Sequence, residues 1–327
     1  MRAILAAHAG GADVLEIDEL PDPRPGPHDV LVRTAAIGVN FIDVYRRSGV
    51  YPASFPQVPG SEGAGTVVEV GAEVDEVAVG DLVAWTDAPG SYAELVVVPA
   101  QRTMPVPDAV PLDTAGAAAL QGLTAHYLAT STYPVSPGDD VLVHAGAGGV
   151  GLLLTQIAVA RGARVITTVS TQEKAELSRG AGADLVIDYT RFPDLGTGLP
   201  AKVRRATDGE GVRAVYDGVG RATFDASLAS LGVRGVLVLF GGASGQVPPF
   251  DLQRLNSGGS LYVTRPTLGD HVRTREELLT RSRELFGWIA DGSLDVRVGQ
   301  AFPLADAAEA HRALESRATT GKVLLVP

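Results

Sequence analysis

The sequence contains no cysteine among its 327 residues. This absence excludes disulfides, thiolate metal sites and a cysteine nucleophile. Two other catalytic signatures are also missing, since no Tyr stands four positions before a Lys, as in short-chain reductases, and no G-x-S-x-G turn marks a hydrolase. The histidines show no spacing typical of metal ligands, so we expect no metal site. They are His8, His28, His126, His144, His271 and His311.

Basic charge and long apolar runs are scarce as well. The net charge of −11 repels phosphate backbones, so a nucleic-acid partner is not expected, although a local site for one phosphorylated cofactor remains compatible with it. No uncharged apolar stretch is long enough to span a membrane, and the amino terminus lacks the apolar core of a secretory signal. We therefore expect a cytoplasmic protein with no membrane partner.

The length of the chain favours two domains, and residues 1–122 read as the first of them. Short apolar runs alternate there with Gly, Pro and Asp, which is typical of strands and turns. A single short helix is predicted at Phe41–Arg47. The pattern predicts a compact, barrel-like β domain. Its strand candidates are Val30–Val39, Gly63–Val70, Val79–Trp85 and Tyr92–Val98.

Residues 123–267 have a different rhythm, in which strand and helix candidates alternate. This alternation predicts a parallel sheet covered by helices on both faces. The Pro- and Gly-rich segment Phe192–Ala201 is interpreted as a long connection. The six strand candidates are Val141–His144, Arg164–Val169, Leu185–Tyr189, Ala214–Val219, Val236–Phe240 and Leu261–Thr264, and the helix candidates are Leu152–Arg161, Gln172–Arg179, Ala201–Ala206 and Phe224–Ser230.

Residues 268–327 are expected to return to the first domain. Apolar side chains along one side predict a helix at Glu276–Ala290, followed by a helix at Ala305–Glu315 and a closing strand at Lys322–Val326. The predicted fold class is therefore α/β, with a doubly wound, six-stranded parallel sheet and a β-rich second domain.

A glycine-rich loop is the strongest single motif. Gly146, Gly148 and Gly151 follow the strand candidate Val141–His144 and open a helix, the context that makes G-x-G-x-x-G informative. The three glycines permit a tight turn, close approach of a pyrophosphate, and close packing of the helix on the sheet. The free N–H groups of that helix favour phosphate binding. We therefore predict a nicotinamide dinucleotide cofactor.

The end of the second strand indicates which cofactor binds. An NAD site usually carries Asp or Glu there to bind the ribose 2′-hydroxyl. Here Ser170 and Thr171 can donate hydrogen bonds, and Lys174 supplies a charge for a 2′-phosphate. An N-capped helix with a solvated lysine is the structural alternative, and both readings are compatible. The pattern favours NADPH.

Further motifs are spread along the whole chain. They are Gly38–Pro52, Pro59–Gly65, Gln121–Tyr127, Val215–Gly220, Gly259–Pro266 and Leu314–Gly321. Together with the glycine loop, they resemble the quinone oxidoreductase (zeta-crystallin-like) branch of the zinc-free medium-chain dehydrogenase/reductase superfamily. The resemblance implies a GroES-like substrate domain, a Rossmann domain, and a cofactor in the cleft between them.

The resemblance also implies an assembly and a set of contacts. Members of the family usually pair through their cofactor domains, which here suggests a homodimer formed at the sheet edge Ser260–Thr264, whereas a protected edge in a monomer is the alternative. The residues implied to bind NADPH are Phe41, Ile42, Asp43, Val44, Tyr45, Thr124, Tyr127, Gly148, Gly149, Val150, Ser170, Thr171, Lys174, Tyr189, Val219, Phe240, Ala243, Pro266, Thr267, Leu268 and Arg317.

Catalysis without a metal needs hydrogen-bond donors near the reacting oxygen. Zinc-bearing relatives carry Cys at the position of Asn40 and His at that of Ser61, just before Glu62, so this chain departs from a zinc site. We predict that the Asn40 amide and the Tyr45 hydroxyl stabilise the negative charge that forms on the acceptor, at about 3 kcal/mol each. Tyr51 is predicted to shape the substrate pocket. Packing around a short helix is the alternative reading of these residues.

The function predicted from these features is an NADPH-dependent, zinc-independent reduction of quinones. Two alternatives stay open. One is NADPH-dependent reduction of α,β-unsaturated carbonyl compounds (enones), which uses the same fold and hydride geometry. The other is a non-catalytic, NADPH-binding redox sensor. The residues do not distinguish one-electron from two-electron reduction.

Overall fold

A computed structural model describes residues 1–327 and divides the chain into two compact units. Unit 1 combines Met1–Leu123 with Val272–Pro327, and unit 2 is Thr124–His271. No helix combines the length and the apolar character that crossing a bilayer requires.

The elements are numbered in chain order as strands β1–β15 and helices α1–α10. The strands are Arg2–Ala6, Leu15–Glu19, Asp29–Val39, Glu62–Val70, Leu82–Thr86, Leu95–Pro99, Thr103–Pro105, Asp140–Val143, Arg164–Val169, Leu185–Asp188, Val212–Asp217, Leu231–Leu239, Tyr262–Thr264, Val298–Pro303 and Lys322–Val326. The helices are Phe41–Arg47, Leu112–Tyr127, Gly149–Ala160, Gln172–Gly180, Leu195–Ala206, Phe224–Ser230, Gln253–Ser257, Leu268–His271, Arg275–Ala290 and Ala307–Glu315.

Unit 1 is built on a seven-stranded sheet and a separate hairpin of β1 and β2. The sheet has the order β14-β15-β3-β4-β5-β7, and β6 also pairs with β3. The closing strand β15 lies antiparallel to β3, with Leu324 opposite Gly38. Inward-facing apolar side chains of these strands form the core, because alternate residues of a half-buried strand share a face. They include Val30, Val32, Val67, Val83, Trp85, Val96 and Val98.

Unit 2 is built on six parallel strands in the order β10-β9-β8-β11-β12-β13. Numbered within the sheet, this order is 3-2-1-4-5-6, the arrangement of the Rossmann fold. The strands are nearly continuous apolar runs because helices cover both faces. The predicted fold class is confirmed. Buried side chains of strands and helices share one core, including Leu142, Ile166, Val215, Leu237, Leu199, Val203 and Leu228.

One prediction of local structure was wrong. The segment Phe192–Ala201 is not a long connection, because α5 begins at Leu195. Asp194 caps this helix, its Oδ1 accepting from the Gly196 N–H at 3.1 Å. Glycine and proline lower helix propensity, but the cap and the complete burial of Leu199 outweigh that cost. Strands β1, β2, β7 and β14 were not predicted either.

Candidate functional site

The glycine loop joins β8 to α3 as a tight turn. Gly148 N–H donates to the Ala145 carbonyl at 2.8 Å, and Gly146 N–H donates to the Thr168 carbonyl at 3.0 Å. A Cβ at Gly151 would overlap the Ala145 carbonyl oxygen, so this glycine is required by the packing of α3. A Cβ at Gly148 would lie 3.2 Å from that same oxygen and approach little else. The bare face of Gly148 is therefore not filled by the protein itself.

Most of the predicted cofactor residues of unit 2 lie at one edge of its sheet. Each follows the carboxyl end of a parallel strand, and this edge is where ligands bind in open α/β sheets. These residues are Gly148, Gly149 and Val150 after β8, Ser170, Thr171 and Lys174 after β9, Tyr189 after β10, Val219 after β11, Phe240 and Ala243 after β12, and Pro266, Thr267 and Leu268 after β13.

The loop after β9 has the geometry of a capped helix. Thr171 is the N-cap of α4, and its Oγ1 accepts from the Lys174 N–H at 3.2 Å. Ser170 and Lys174 are partly exposed, and Thr171 is exposed. The N-capped helix that was the alternative reading of this segment is thus present. It leaves Lys174 at the tip of the sheet, where the 2′-phosphate is predicted to bind.

The loops after β11 and β12 are held together by Asp217. Its Oδ1 accepts from the N–H groups of Val219 at 2.8 Å and Gly220 at 3.0 Å. The Val219 carbonyl in turn accepts from the Ser244 N–H at 2.8 Å and from the Ser244 hydroxyl at 2.7 Å. The positions predicted at Val219 and Ala243 therefore belong to one connected turn.

A buried histidine links this turn to the glycine loop. Ser227 Oγ donates to Asp217 Oδ2 at 2.7 Å, and His144 Nε2 lies 2.9 Å from the same oxygen of Ser227. Since the serine proton is already donated, Nε2 carries the imidazole proton. His144 Nδ1 then accepts from the Thr168 hydroxyl at 2.9 Å. Burial lowers the pKa of His144, which keeps the ring neutral, although Asp217 opposes this shift.

Two other predicted contacts in unit 2 are buried. Tyr127 is 2% exposed and stacks on His271, with ring centroids 4.2 Å apart and planes 10° apart. Burial raises the pKa of the Tyr127 hydroxyl far above its usual range. Thr124 lies three residues earlier on the same helix and is also buried. Their contact with a cofactor stays a prediction.

Helix α1 of unit 1 carries an aromatic group. The Tyr45 ring lies 5.2 Å from the Tyr51 ring and 6.1 Å from the Phe41 ring, measured between centroids. The backbone also joins the two tyrosines, since the Tyr51 N–H donates to the Tyr45 carbonyl at 3.0 Å. The structure thus brings together the predicted donor Tyr45 and the predicted pocket residue Tyr51. Arg317 follows α10 and is exposed, with a positive φ of 59°.

Asn40, the N-cap residue of α1, is placed differently from the prediction. Its side chain is 4% exposed, and Nδ2 donates both to Glu62 Oε2 at 2.7 Å and to the Gly38 carbonyl at 3.2 Å. A primary amide has only two N–H groups. In this conformation Asn40 has none left for an acceptor molecule, which corrects its predicted role. The donor role stays a prediction for Tyr45.

Asp43 likewise faces the interior of unit 1. Its carboxylate accepts from the Asn40 N–H at 2.9 Å, the Ser61 hydroxyl at 3.1 Å and the Tyr92 hydroxyl at 3.2 Å. The resemblance implies that Asp43 contacts the cofactor. Its side chain, however, is not directed outward toward one. Burial raises the pKa of the Asp43 carboxyl to about 6, against the lowering effect of the Asn40 hydrogen bond.

A second buried histidine supports Asp43. Arg47 Nη1 donates to His311 Nδ1 at 3.1 Å, so His311 carries its proton on Nε2, which lies 2.9 Å from the Tyr92 hydroxyl. Tyr92 then donates to Asp43. Burial, with the charge of Arg47, lowers the pKa of His311 to about 3.

The only lysine of unit 1 is buried beside this group. Lys322 is 1% exposed, and its Nζ donates to Asn40 Oδ1 at 2.8 Å and forms an ion pair with Glu62. The other oxygen of Glu62 accepts from the Leu120 N–H of α2. Lys322 was not predicted as a site residue, and Glu62 was given no role of its own. The sole signal was a lysine at the head of an apolar strand.

Two protein families match the chain. Residues 26–108 match the alcohol dehydrogenase GroES-like domain, and residues 181–325 match the family described as zinc-binding dehydrogenase. The second description implies a zinc ion, which the residues present do not fit. No group of three or more His, Cys, Asp or Glu side chains could hold a metal ion, and the cation that meets Glu62 is the Lys322 ammonium.

Individual relatives match over nearly the full length. A quinone oxidoreductase of Pseudomonas aeruginosa is 45% identical over 100% of this chain and 99% of its own. A 2-haloacrylate reductase of Burkholderia is 39% identical over 97% of this chain and 96% of its own. The solved structure of a mycobacterial protein complexed with NADPH is 54% identical, covers 100% of both chains and has a TM-score of 0.97.

The predicted family is thus confirmed by its sequence, its sheet order and its relatives. The chain belongs to the quinone oxidoreductase branch of the medium-chain dehydrogenase/reductase superfamily.

Proposed function

We propose that this protein is an NADPH:quinone oxidoreductase that works without zinc. The observation that carries the proposal is the glycine loop at the carboxyl edge of the sheet, where Gly148 leaves a bare face that no side chain of the protein fills. Its family and its NADPH-bound relative support an oxidoreductase that uses NADPH, as the sequence predicted.

The residues at the sheet edge fit NADPH in two places. The bare face of Gly148 and the free N–H groups at the start of α3 suit a pyrophosphate. Lys174, with Ser170 and Thr171, suits the 2′-phosphate, because no carboxylate stands at the end of β9 to repel it. When bound, the cofactor supplies the hydride, and the protein orients and surrounds the reacting groups.

Unit 1 supplies a hydrogen-bond donor for the oxygen of the quinone, which accepts the electrons. Negative charge forms on the quinone oxygen during reduction, and a positioned hydroxyl stabilises it. The Tyr45 hydroxyl is the group we assign to this role, and the rings of Phe41 and Tyr51 beside it suit a flat, conjugated acceptor. No metal is needed to polarise that oxygen.

The test follows absorbance at 340 nm when purified protein meets NADPH and 1,4-benzoquinone, with NADH as the control and a chelator in a parallel sample. We expect oxidation that depends on the quinone, prefers NADPH and is unaffected by the chelator. A Lys174→Ala variant should lose the preference for NADPH, whereas Lys202→Ala, on the exposed face of α5, should keep it. Binding of NADPH with no turnover of either quinones or enones would instead support the redox-sensor function.

The 2-haloacrylate reductase among the relatives favours a second candidate, reduction of an electron-poor carbon–carbon double bond. A conjugated enone presents the same kind of oxygen to Tyr45, so the two activities share this geometry. Product analysis separates them: a hydroquinone supports the first function, and a saturated carbonyl compound with no activity on quinones establishes the second.

We also propose that two copies pair through the edge of the unit 2 sheet. Within the chain β13 pairs only with β12, and Tyr262 on it is 60% exposed. An open strand edge with an exposed aromatic side chain favours pairing with a second copy. Sedimentation equilibrium should give twice the monomer mass of 33.8 kDa, and a single monomer mass at micromolar concentration would reject the dimer.

A further inference from the structure

The buried ion pair of unit 1 lies beside the start of the helix that carries Tyr45. Glu62 is 0% exposed, Lys322 1% and Asn40 4%, and all three join through the Lys322 ammonium. A buried ion pair adds little net stability compared with apolar side chains of the same size, because desolvation cancels most of the attraction. Its contribution must therefore be sought in the geometry that it fixes.

That geometry is the orientation of Asn40. Lys322 can only donate, so it requires the amide oxygen of Asn40 on its side. The amide nitrogen must then point to Glu62 and the Gly38 carbonyl, and both contacts are present. The Asn40 backbone N–H simultaneously donates to Asp43, the third residue of α1. Lys322 thus holds the residue from which the helix begins.

The space for the ion pair is provided by Gly38. A Cβ there would overlap Glu62 Oε2 and would lie 2.8 Å from Lys322 Cε. In the pairing of β15 with β3, Val323 lies opposite Val39 and Leu324 opposite Gly38. This register brings Lys322, the residue before Val323, close to Asn40 and Gly38. The ion pair therefore packs on bare backbone, and a single methyl group at residue 38 would displace it.

We propose that Lys322 is a positioning residue of the reaction: through Glu62 and Asn40 it sets the place of α1 and hence of the Tyr45 hydroxyl. This role rests on the proposed function only in so far as Tyr45 faces the acceptor. Lys322 itself is 1% exposed, so the proposal gives it no contact with the acceptor. Its ammonium supplies, as a fixed part of the protein, the positive charge that neutralises Glu62.

The test compares four variants with the wild type. Lys322→Met removes the charge and keeps the length of the side chain. The double variant Glu62→Gln/Lys322→Met also removes the carboxylate, so that no buried charge is left unpaired. Gly38→Ala keeps every charge and displaces the pair. Lys202→Met is the matched control, because Lys202 is an exposed lysine of unit 2.

We expect Lys322→Met to lower kcat at least tenfold while the Kd for NADPH changes less than threefold, because α1 supplies only part of the predicted cofactor contacts and the glycine loop in unit 2 is unchanged. The double variant should recover most of the lost melting temperature and yet keep the low kcat. Gly38→Ala should lower kcat at least fivefold, and Lys202→Met should match the wild type. A merely structural lysine would instead let kcat recover together with stability in the double variant, and that result would overturn the proposal.

Amide hydrogen exchange provides a reading that needs no acceptor. In Lys322→Met and in the double variant, the amides of residues 41–47 should exchange at least tenfold faster than in the wild type, while those of α3 should not change. Unchanged exchange in α1 overturns the positioning role. If none of the quinones tested supports oxidation of NADPH by the wild type, the proposed function fails. The exchange measurement still decides whether Lys322 holds α1.

Discussion

Each unit buries a neutral histidine that donates through a hydroxyl group to an aspartate. In unit 1 the chain runs from His311 through Tyr92 to Asp43, and in unit 2 it runs from His144 through Ser227 to Asp217. In both, the partner of Nδ1 and the carboxylate at the far end place the imidazole proton on Nε2. The two series of hydrogen-bonded side chains are alike in chemistry but differ in which parts of the fold their aspartates hold.

Asp217 accepts from four groups, namely two backbone N–H groups and the hydroxyls of Thr223 and Ser227. It organises a turn at the sheet edge. Asp43 accepts from three groups, and burial raises its pKa to about 6. It anchors one short helix beside an ion pair. The difference shows that a similar series of polar groups can organise a turn at a sheet edge in one unit and anchor a helix in the other. In our proposals, that sheet edge binds the cofactor and that helix carries the reactive Tyr45.

The largest expected difference concerns the aspartates. Asp217→Ala should lower the free energy of unfolding of unit 2 by about 4 kcal/mol, because it leaves four donors without this acceptor, three of them in buried hydrogen bonds. Asp43→Ala should cost unit 1 about 2 kcal/mol, since it frees fewer donors and removes a carboxylate whose burial is already unfavourable. Denaturation followed by circular dichroism, with tryptophan fluorescence for unit 1, measures both.

A surface aspartate provides the control for this comparison. The exposed Asp225, which pairs with Arg254 on the surface, should tolerate alanine within about 0.5 kcal/mol. Equal costs at Asp43 and Asp217 would contradict the distinction between the two chains.

A smaller effect is the pH dependence of unit 1. The pKa of His311 is about 3 in the folded protein and about 6.5 when unfolded, so the unfolded state binds the extra proton as the pH falls. His311 should therefore reduce the free energy of unfolding by about 1.4 kcal/mol for each pH unit between about 6.5 and 3. Asp43 acts with the opposite sign, because its raised pKa favours the folded state below about 6 and this contribution is lost as the pH rises through that value.

Tryptophan fluorescence isolates this effect, because both tryptophans of the chain, Trp85 and Trp288, lie in unit 1. Urea titrations at pH 6.5, 5.5 and 4.5 should show that, as the pH falls, the wild type loses stability relative to His311→Gln by about 1.4 kcal/mol for each pH unit, because the contribution of Asp43 is common to both proteins. Parallel pH profiles for the two proteins would show that His311 is not buried in its neutral form.

The smallest effects should separate binding from turnover. His144→Gln should weaken NADPH binding about fivefold and leave kcat within twofold, because its chain supports the sheet edge. His311→Gln should lower kcat about fivefold and change the Kd for NADPH less than twofold, because its hydrogen bonds support α1, whereas most of the predicted cofactor contacts lie in unit 2. A lost hydrogen bond of about 1 kcal/mol corresponds to changes of this size. Cofactor titration and steady-state kinetics on both variants measure them, and the same pattern in both would erase the functional difference between the chains.

Sequence reasoning identified the features that local patterns encode. The glycine loop, the helix Phe41–Arg47 and the six strands of unit 2 follow from periodicity and from glycines at fixed spacing. The strand β2 was missed because four of its five residues are exposed, so that its sequence lacks the alternation of a half-buried strand. Helix α5 was shortened because Pro200 lies within it.

The buried polar groups could not be predicted in the same way. Lysine is normally exposed, and nothing near Lys322 in the sequence indicates that its partner is Glu62. The amide of Asn40 was interpreted as a donor for the acceptor molecule because its residue type permits that role. Only the tertiary structure shows that both of its N–H groups are already used.

The discontinuity of unit 1 also bears on how the protein is made. Asn40 and Lys322 are 282 positions apart, and all of unit 2 is synthesised between them. At about 5–20 residues per second, the amino-terminal part of unit 1 waits on the order of tens of seconds for β15. Unit 2 is contiguous and can fold during that interval, whereas Glu62 has no counter-ion until the last strand arrives. By the positioning role proposed for Lys322, α1 is held in place only after β15 has been synthesised, and the β-rich segment that waits for this strand is the part that a chaperone would have to protect.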